Sequence, residues 1–401
     1  MTPQIKNRIE QIRRREVPEG YKRTKVGIVP VDWNVDVLGN FISECKVLSN
    51  DIEKYPVYSS SRQGLIPQSQ YYDNREATET NLGYKIVPKG YVTYRHMSDD
   101  DIFHFNINDT ESDILVSSEY PVFTTGKQGC LGYIIPLLNE MPRFRHFCRM
   151  QKMGGTRTRL YFKNLCAFQS AFPPLAEQKK IAEILTAQDR VIALLDQKIE
   201  QLQKMKKVFL QKMFPAKGQT VPEWRFKGFT APWERRKLGD ILQTLPFKAY
   251  LKSPEQDGKY EIIQQGNAPI IGYANGEPCK DYENTVIFGD HTLSLYKPKT
   301  PFFVATDGVR IVKGFDNMDG NYLLHLLERN KPQSEGYKRY YSILADIDVF
   351  FTENHEQQKK IGDYFHSLDN LITLHQRKRD EEKQKKKALM QLLLTGIVRT
   401  V

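Results

Sequence analysis

Two short runs of this chain carry groups able to do acid–base or metal chemistry. Asp99-Asp100-Asp101 sets three carboxylates side by side, the raw material of a divalent-cation site, and Gly289-Asp290-His291 sets a carboxylate beside an imidazole, as a catalytic dyad would. Each has a plainer reading. The aspartate run has no counterpart elsewhere in the chain and reads as a solvated loop; Gly-Asp-His reads as a turn with a capping aspartate. The eight histidines are scattered, and the five cysteines (Cys45, Cys130, Cys148, Cys166 and Cys279) include no Cys-x-x-Cys pair, so neither a zinc site nor a disulfide framework is expected. The sequence has no G-x-x-x-x-G-K-[ST] loop, no G-x-G-x-x-G after a strand and no H-E-x-x-H. It also lacks the Asn-Pro-Pro-aromatic tetrapeptide with which an amino-methyltransferase grips its base. No catalytic residue, cofactor or metal ligand is therefore assigned to this chain.

What remains is a binding pattern. Lys and Arg number 59 against 48 Asp and Glu, a net charge of +11, which suits a polyanionic partner. Bases and amides interleave with aromatics in Ser60–Gly64, Gly154–Phe162, Gln264–Pro269, Ala305–Gly314 and Glu335–Ser342. An arginine fork fits a guanine edge, an amide fits adenine, and lysines and arginines otherwise hold phosphates. The candidate DNA contacts are Arg62, Gln63, Arg95, Arg157, Arg159, Tyr161, Gln264, Gln265, His291, Arg310, Lys313, Lys338, Arg339 and Tyr341. The alternative is an ordinary basic surface over packed tyrosines.

The elements that must position these residues come twice. EQKKIAEILTAQDRVIALLDQ from Glu177 matches QQKKIGDYFHSLDNLITLHQ from Gln357 without gaps: Ile181 falls on Ile361, Asp189 on Asp369, Ile192 on Ile372 and Leu194 on Leu374, each pair 180 apart. Lys206-Lys207 match Lys386-Lys387 at the same spacing. Upstream, Trp33, Leu38 and Gly39 match Trp233, Leu238 and Gly239, and Tyr58, Gln63 and Gly64 match Tyr260, Gln265 and Gly266. Pro121 and Phe123 then align with Pro301 and Phe303, which makes residues 95–115 a surface insertion in the first copy. At the same 180-residue spacing Arg159 matches Arg339 and Tyr161 matches Tyr341. Val17-Pro18-Glu19 matches Val221-Pro222-Glu223, so an N-terminal helix over 1–16 would complete a cyclic repeat. The divisions are then 1–16, a first globular unit 17–172, a central helix 173–216, a second globular unit 217–354 and a C-terminal helix 355–401.

Ile181, Leu185, Ile192, Leu195, Ile199, Leu202, Met205 and Phe209 form an apolar stripe at helical spacing. A helix from 176 to 214 would be about 58 Å long, the length of a coiled-coil arm. Ile361, Phe365, Leu368 and Ile372 begin a second stripe, which residues 375–387 interrupt with polar side chains only, predicting two antiparallel helices with a weak middle. Asn354-His355 stands where the first copy has Pro174-Leu175, a less sharp helix start. The globular units read as short strands, with 130–138 (CLGYIIPLL) among them and a helix at 321–329; the class is mixed α/β (α+β). No apolar run reaches the ~18 residues a membrane span needs and the N-terminus has no signal-like core, so a cytoplasmic location is expected.

These residues carry a resemblance. PLAEQKKIAEIL (174–185) with its copy HEQQKKIGDYF (355–365), the two Trp-x-x-x-x-Leu-Gly starts, PVYSSSRQGLIPQ (56–68), YKIVPKGYVTYR (84–95), GDHT (289–292) and ATDGVRIV (305–312) together resemble the specificity subunits of type I restriction–modification systems. The resemblance covers nearly the whole chain. It implies two pseudo-two-fold-related target-recognition domains separated by two long antiparallel helices, each domain reading one half of a bipartite, asymmetric site in double-stranded DNA. The helices would set the spacer and dock two methyltransferase subunits, joined by restriction/motor subunits, in a bacterial defence system. S-adenosylmethionine, ATP and Mg would belong to those partners, and this chain would have no small-molecule substrate and no membrane. The rival readings are a protein-only coiled-coil scaffold and a single-chain DNA-modifying enzyme.

Overall fold

A computed structural model describes residues 2–49, 54–68, 83–152 and 154–400. The chain folds as two compact units, Met1–Ala193 with Asp380–Val401, and Leu194–Arg379. The boundaries between the units fall inside the two long helices.

Unit 1 begins with helix α1 (Pro3–Arg13), the hairpin β1 (Tyr21–Thr24) and β2 (Gly27–Pro30), β3 (Asn34–Val37) and β4 (Ile42–Glu44). Then come β5 (Tyr58–Ser61), β6 (Gly64–Pro67), β7 (Lys85–Val87), β8 (Val92–Thr93), β9 (Met97–Ser98), β10 (Asn106–Ile107), β11 (Ile114–Val116) and β12 (Val122–Thr125). Helices α2 (Leu131–Glu140) and α3 (Pro142–Arg149), β13 (Thr158–Arg159), α4 (Phe162–Cys166) and β14 (Gln169–Phe172) lead into α5 (Leu175–Lys212). Unit 2 holds β15 (Glu234–Lys237), α6 (Leu238–Ile241), β16 (Leu242–Leu245), β17 (Tyr260–Ile263), β18 (Ile270–Ala274), β19 (Thr285–Gly289) and β20 (Leu295–Tyr296). It continues with β21 (Phe302–Val304), β22 (Val309–Gly314), α7 (Gly320–Asn330), α8 (Tyr341–Ala345), β23 (Asp348–Phe351) and α9 (His355–Leu394).

The two units share one plan. In unit 1 the central antiparallel sheet runs β4-β12-β8-β10; in unit 2 it runs β16-β22-β19-β20. The pair β3–β14 is answered by β15–β23, and the hairpin β5–β6 by β17–β18. This correspondence corrects the match of Phe123 to Phe303. Phe123 lies on β12, the counterpart of β22, whereas Phe303 lies on β21, which pairs in parallel with β17. Residues 95–115 are likewise not a surface insertion. They supply β10, and Phe103, Phe105, Asn106 and Asn108 are buried; at the tip Asp99, Asp100 and Ile102 are exposed. The run 130–138 is mostly helix α2 rather than a strand. Tyr133, Ile134, Ile135, Leu137 and Leu138 are all buried, and a short run covered on every side carries no period that separates strand from helix.

Each long helix starts at a buried glutamine. Gln178 donates through Nε2 to the carbonyls of Pro173 (3.0 Å) and Gln128 (3.1 Å), while its Oε1 accepts the Cys130 N–H (3.0 Å) at the start of α2. Gln358 repeats the arrangement: Nε2 donates to Thr352 O (2.7 Å) and Oε1 accepts the Asp319 N–H (3.2 Å) at the start of α7. Both side chains are almost wholly buried, so every polar atom that found no partner would carry its full desolvation cost. The start of α9 is sharp. Asn354 Oδ1 accepts the Gln357 N–H (2.9 Å), an N-cap in place of the prolines before α5.

Within each unit the two long helices run antiparallel. In unit 2 Leu202 packs on Leu368 and Ile372, and Lys206 Nζ reaches Asp369 (2.8 Å) and Glu328 (2.9 Å). In unit 1 the equivalent lysine, Lys386, pairs with the equivalent aspartate, Asp189. The polar stretch of α9 is lined by such pairs: Arg379 with Asp196 in unit 2, and Glu382 with Gln188 in unit 1. Met205 leaves the expected stripe and is 38 % exposed, because its neighbour Lys206 turns inward instead. Burial would raise the Glu328 carboxyl, but the hydrogen bond from His325 and the charge of Lys206 outweigh it and hold its pKa down at about 2. Folding therefore draws stability from this carboxylate above its ordinary pKa, and loses it as the pH falls toward 2.

Unit 1 closes on the chain's own C-terminus. Met390, Leu393 and Leu394 of α9 join its core, as Met213 and Phe214 after α5 join the core of unit 2. The seat expected for the N-terminal helix is thus filled by α9, and none of the residues of α1, all described, is buried. Arg399 forks onto Asp32 (2.6 and 2.9 Å) and buried Glu177 (2.8 and 2.9 Å), and Glu177 also accepts the Trp33 Nε1–H (3.0 Å).

Close approach of helices is solved differently in the two units. A Cβ on Gly132 of α2 would lie 2.7 Å from Ala182 Cβ of α5; in unit 2 the missing side chain is on the long helix, where a Cβ on Gly362 would lie 2.8 Å from Tyr322 N of α7. Gly132→Ala should cost about 1–3 kcal/mol of unit 1 stability by overpacking. Adding Ala182→Gly should recover part of that loss in urea denaturation, whereas purely additive losses would show that the two helices do not touch there.

Candidate nucleic-acid interface

In unit 1, Arg62 and Gln63 are the two tip residues of the β5–β6 hairpin, both exposed, with Gly64 supplying the positive φ (117°) that the tight turn requires. The aspartate run faces this hairpin and the 154–161 segment. Asp100 pairs with Arg62, Asp99 with Arg157 (2.8 Å), and Asp101 accepts a hydrogen bond from Thr158. The hydrogen bond from Arg62 holds the Asp100 carboxyl below its usual range. The run is thus a brace for two candidate arginines. Arg62, Gln63 and Arg95 line one cleft of about 370 Å³, with Ser98, Asp99 and His104. Arg159 is exposed on β13, and Tyr161, 53 % exposed, stacks on the buried ring of His96 with centroids 5.5 Å apart.

Unit 2 gathers its candidates through buried struts. The Gln265 side chain lies between two glycines: a Cβ on Gly289 would meet its Cβ at 2.8 Å, and one on Gly308 its Cδ at 3.1 Å. Gln265 Oε1 accepts the His291 N–H (3.0 Å), and His291 Nδ1 lies 3.1 Å from Lys338 O. Asp290, 1 % exposed, accepts the Tyr341 N–H (2.8 Å) and forms an ion pair with Arg310 (3.1 Å). Gly-Asp-His is therefore a turn whose aspartate caps α8. Arg310 also faces the Tyr341 ring at 5.8 Å.

These contacts sort the candidates. Gln265, Arg310 and Tyr341 hold loops together. Gln264 closes its own loop, donating to Ala268 O (3.0 Å), and Lys313 stands apart, paired with Asp281 on the central sheet. Lys338 pairs with Glu335 (2.6 Å) and Arg339 with Asp307 (3.4 Å), both at the surface, where such pairs are weak enough for a phosphate to displace the carboxylate. The match of Tyr161 to Tyr341 slips by one residue. The Tyr161 carbonyl accepts the Leu165 N–H (2.9 Å) before α4, the role Tyr340 has toward Leu344 before α8. Tyr340 is fully buried and Tyr341 partly so, whereas Tyr337 is 86 % exposed and stacks on His291 (4.6 Å, 7°). Tyr337 was missed in the sequence because three tyrosines in five residues carry no period that says which one faces out.

The chain belongs to the type I restriction modification DNA specificity domain family, whose model matches it twice, over residues 38–204 and 231–384. Two curated relatives from Methanocaldococcus jannaschii are similar along almost their full length. The putative type I restriction enzyme MjaX specificity subunit is 24 % identical over 95 % of this chain and 97 % of its own, and the type I restriction enzyme MjaVIII specificity subunit is 23 % identical over 95 % and 96 %. The fold is that of the type I restriction-modification S subunit from M. genitalium, with a TM-score of 0.60 at 16 % identity over 90 % of this chain and 96 % of that one. A chain from a structure of the type I R-M system, solved to explain complex assembly and conformational transition, gives 0.51 at 14 % identity over 92 % and 99 %. Among the described residues no helix is long and apolar enough to cross a membrane.

Asp290→Ala removes the acceptor of both Arg310 and the Tyr341 N–H. It should cost unit 2 about 2–3 kcal/mol, read by urea denaturation, with Asp290→Asn costing less; an unchanged midpoint would show that the strut is dispensable.

Proposed function

We propose that this chain is the specificity subunit of a type I restriction–modification complex and that each unit reads one half of a bipartite, asymmetric site in double-stranded DNA. The observation that carries this reading is a shared frame bearing unlike loops. The central sheets have the same strand order, yet the hairpin tip is Arg62-Gln63 in unit 1 and the longer 264–269 loop in unit 2. Non-identical readers on a repeated frame suit a site whose halves differ, unlike the palindromes read by symmetric dimers.

The long helices connect the units and are the natural spacer. At 38 residues α5 is about 57 Å long. They also suit docking by two copies of one partner. Val191 (41 % exposed) and Leu194 (64 %) on α5 have the same solvent-facing apolar spacing as Leu371 (39 %) and Leu374 (61 %) on α9. Two methyltransferase subunits are the partners this pairing fits, with restriction/motor subunits added to that core in the cytoplasm. S-adenosylmethionine, ATP and Mg would reside on those subunits, and the target adenine would be drawn from the duplex into the partner's site.

One helical turn added to α5 between Asp189 and Asp196, with a matching turn in α9 between Arg379 and Glu382, leaves the paired register of each unit intact. It should lengthen the spacer by about 6 Å, or about two base pairs, and leave both half-sites unchanged when host methylation is mapped. An altered half-site with an unaltered spacer would contradict the reading.

A further inference from the structure

Both units expose a tyrosine ring laid on a histidine. In unit 1 Tyr161 covers His96; in unit 2 Tyr337 covers His291 with the ring planes nearly parallel. Each lies among cations of the candidate interface: exposed Arg95 and Arg159 near the first in sequence, Lys338 and Arg339 directly after the second. The fold alone does not demand this arrangement, because the two pairs are built from non-equivalent residues. On the central sheet Val92 pairs with Phe123 as Val286 pairs with Val312, and Phe123 and Val312 lie opposite Glu44 and Thr244, so counting on from Val92 and Val286 places His96 level with Asp290. The stacking histidine is therefore one residue later in unit 2, and the tyrosine comes before the short helix α8 by four residues rather than one. A packing requirement inherited with the repeat would use the same positions twice. Two units reaching one surface feature by different positions points to a shared ligand.

The chemistry of that ligand follows from the surface. A flat, exposed aromatic ring accepts another flat ring by stacking, and the neighbouring cations favour an anionic backbone beside it. His96 is buried, and burial holds its pKa below the usual histidine value, so the ring beneath Tyr161 is kept neutral. Its Nδ1 has no hydrogen-bond partner among the described residues. The histidines thus act as rigid backing that fixes the plane of each tyrosine.

We propose that Tyr161–His96 and Tyr337–His291 are nucleobase-stacking platforms, one for each half-site, and that each covers the face of the thymine left unpaired when the target adenine leaves the duplex. This rests on the reading of the chain as a DNA specificity subunit with an adenine-methylating partner. Tyr161 and Tyr337 act as positioning residues, holding the duplex open at the extruded base.

The test uses the chain assembled with its methyltransferase subunits on a duplex bearing the site mapped from host methylation. Permanganate oxidises thymines that are unstacked, and 2-aminopurine in place of either target adenine reports its extrusion. Tyr337→Ala should raise permanganate attack on one orphan thymine about fivefold or more, the low end of a lost base–aromatic stack, and leave the other thymine protected. Tyr161→Ala should do the reverse, and Tyr161→Phe and Tyr337→Phe should retain protection. If the wild-type complex binds the site and extrudes its adenines but the alanine variants leave both thymines protected, the platforms are refuted and the specificity reading stands. Equal loss in the phenylalanine variants would also refute them. Failure of the wild-type complex to prefer any mapped site would overturn the reading and the platforms together.

Discussion

A carboxamide buried at the start of each long helix is the constraint on which the rest depends. Gln178 and Gln358 each tie three things at one point: the end of the strand that precedes the helix, the helix itself, and the N-terminus of the shorter helix packed across it. An amide suits the task because it offers two donors and an acceptor without a charge to desolvate. The Glu-Gln-Lys-Lys and Gln-Gln-Lys-Lys segments therefore read as architecture, the joint that transfers the direction of a helix to the sheet bearing the candidate DNA contacts. The aspartates three turns along from each glutamine serve the same end, since Asp189 and Asp369 meet Lys386 and Lys206 at equivalent positions and set the antiparallel register in each unit.

The duplication is kept where geometry must be shared and abandoned where it need not be. Glu177 accepts from Trp33 and from Arg399, so a carboxylate is needed there; its counterpart Gln357 hydrogen-bonds Thr352 instead, and Trp233 Nε1 has no partner among the described residues. Small residues change sides across the helix contact, Gly132 in one unit and Gly362 in the other. The same freedom applied to the loops gives each unit a different set of exposed groups on one scaffold. Binding residues concentrate on loops because loops can change without disturbing the core.

The repeat, the two long helices and the family were legible because they depend on spacing, and spacing survives sequence divergence. The structure departs from that pattern where identical letters occupy different places. Gln63 and Gln265 match in the sequence, yet one is exposed at a hairpin tip and the other is wedged between Gly289 and Gly308. Phe123 and Phe303 match by chance, since short apolar strands look alike. Met205 and Lys206 exchange roles because a lysine stem can lie along an apolar seam and place its charge on Asp369 and Glu328. Asp99–Asp101 reads as a solvated loop, and Asp99 and Asp100 are exposed; their pairing with Arg62 and Arg157, and that of Asp101 with Thr158, joins residues distant in the chain and gives no local signal.

The central claim is that one frame carries two readers acting separately, and exchanging one reader tests it most directly. Residues 17–172 are replaced by the corresponding unit of a relative, and the host's methylated sites are mapped before and after. The account predicts that one half of the recognised site changes while the other half and the intervening spacer are preserved. A change in both halves would contradict it.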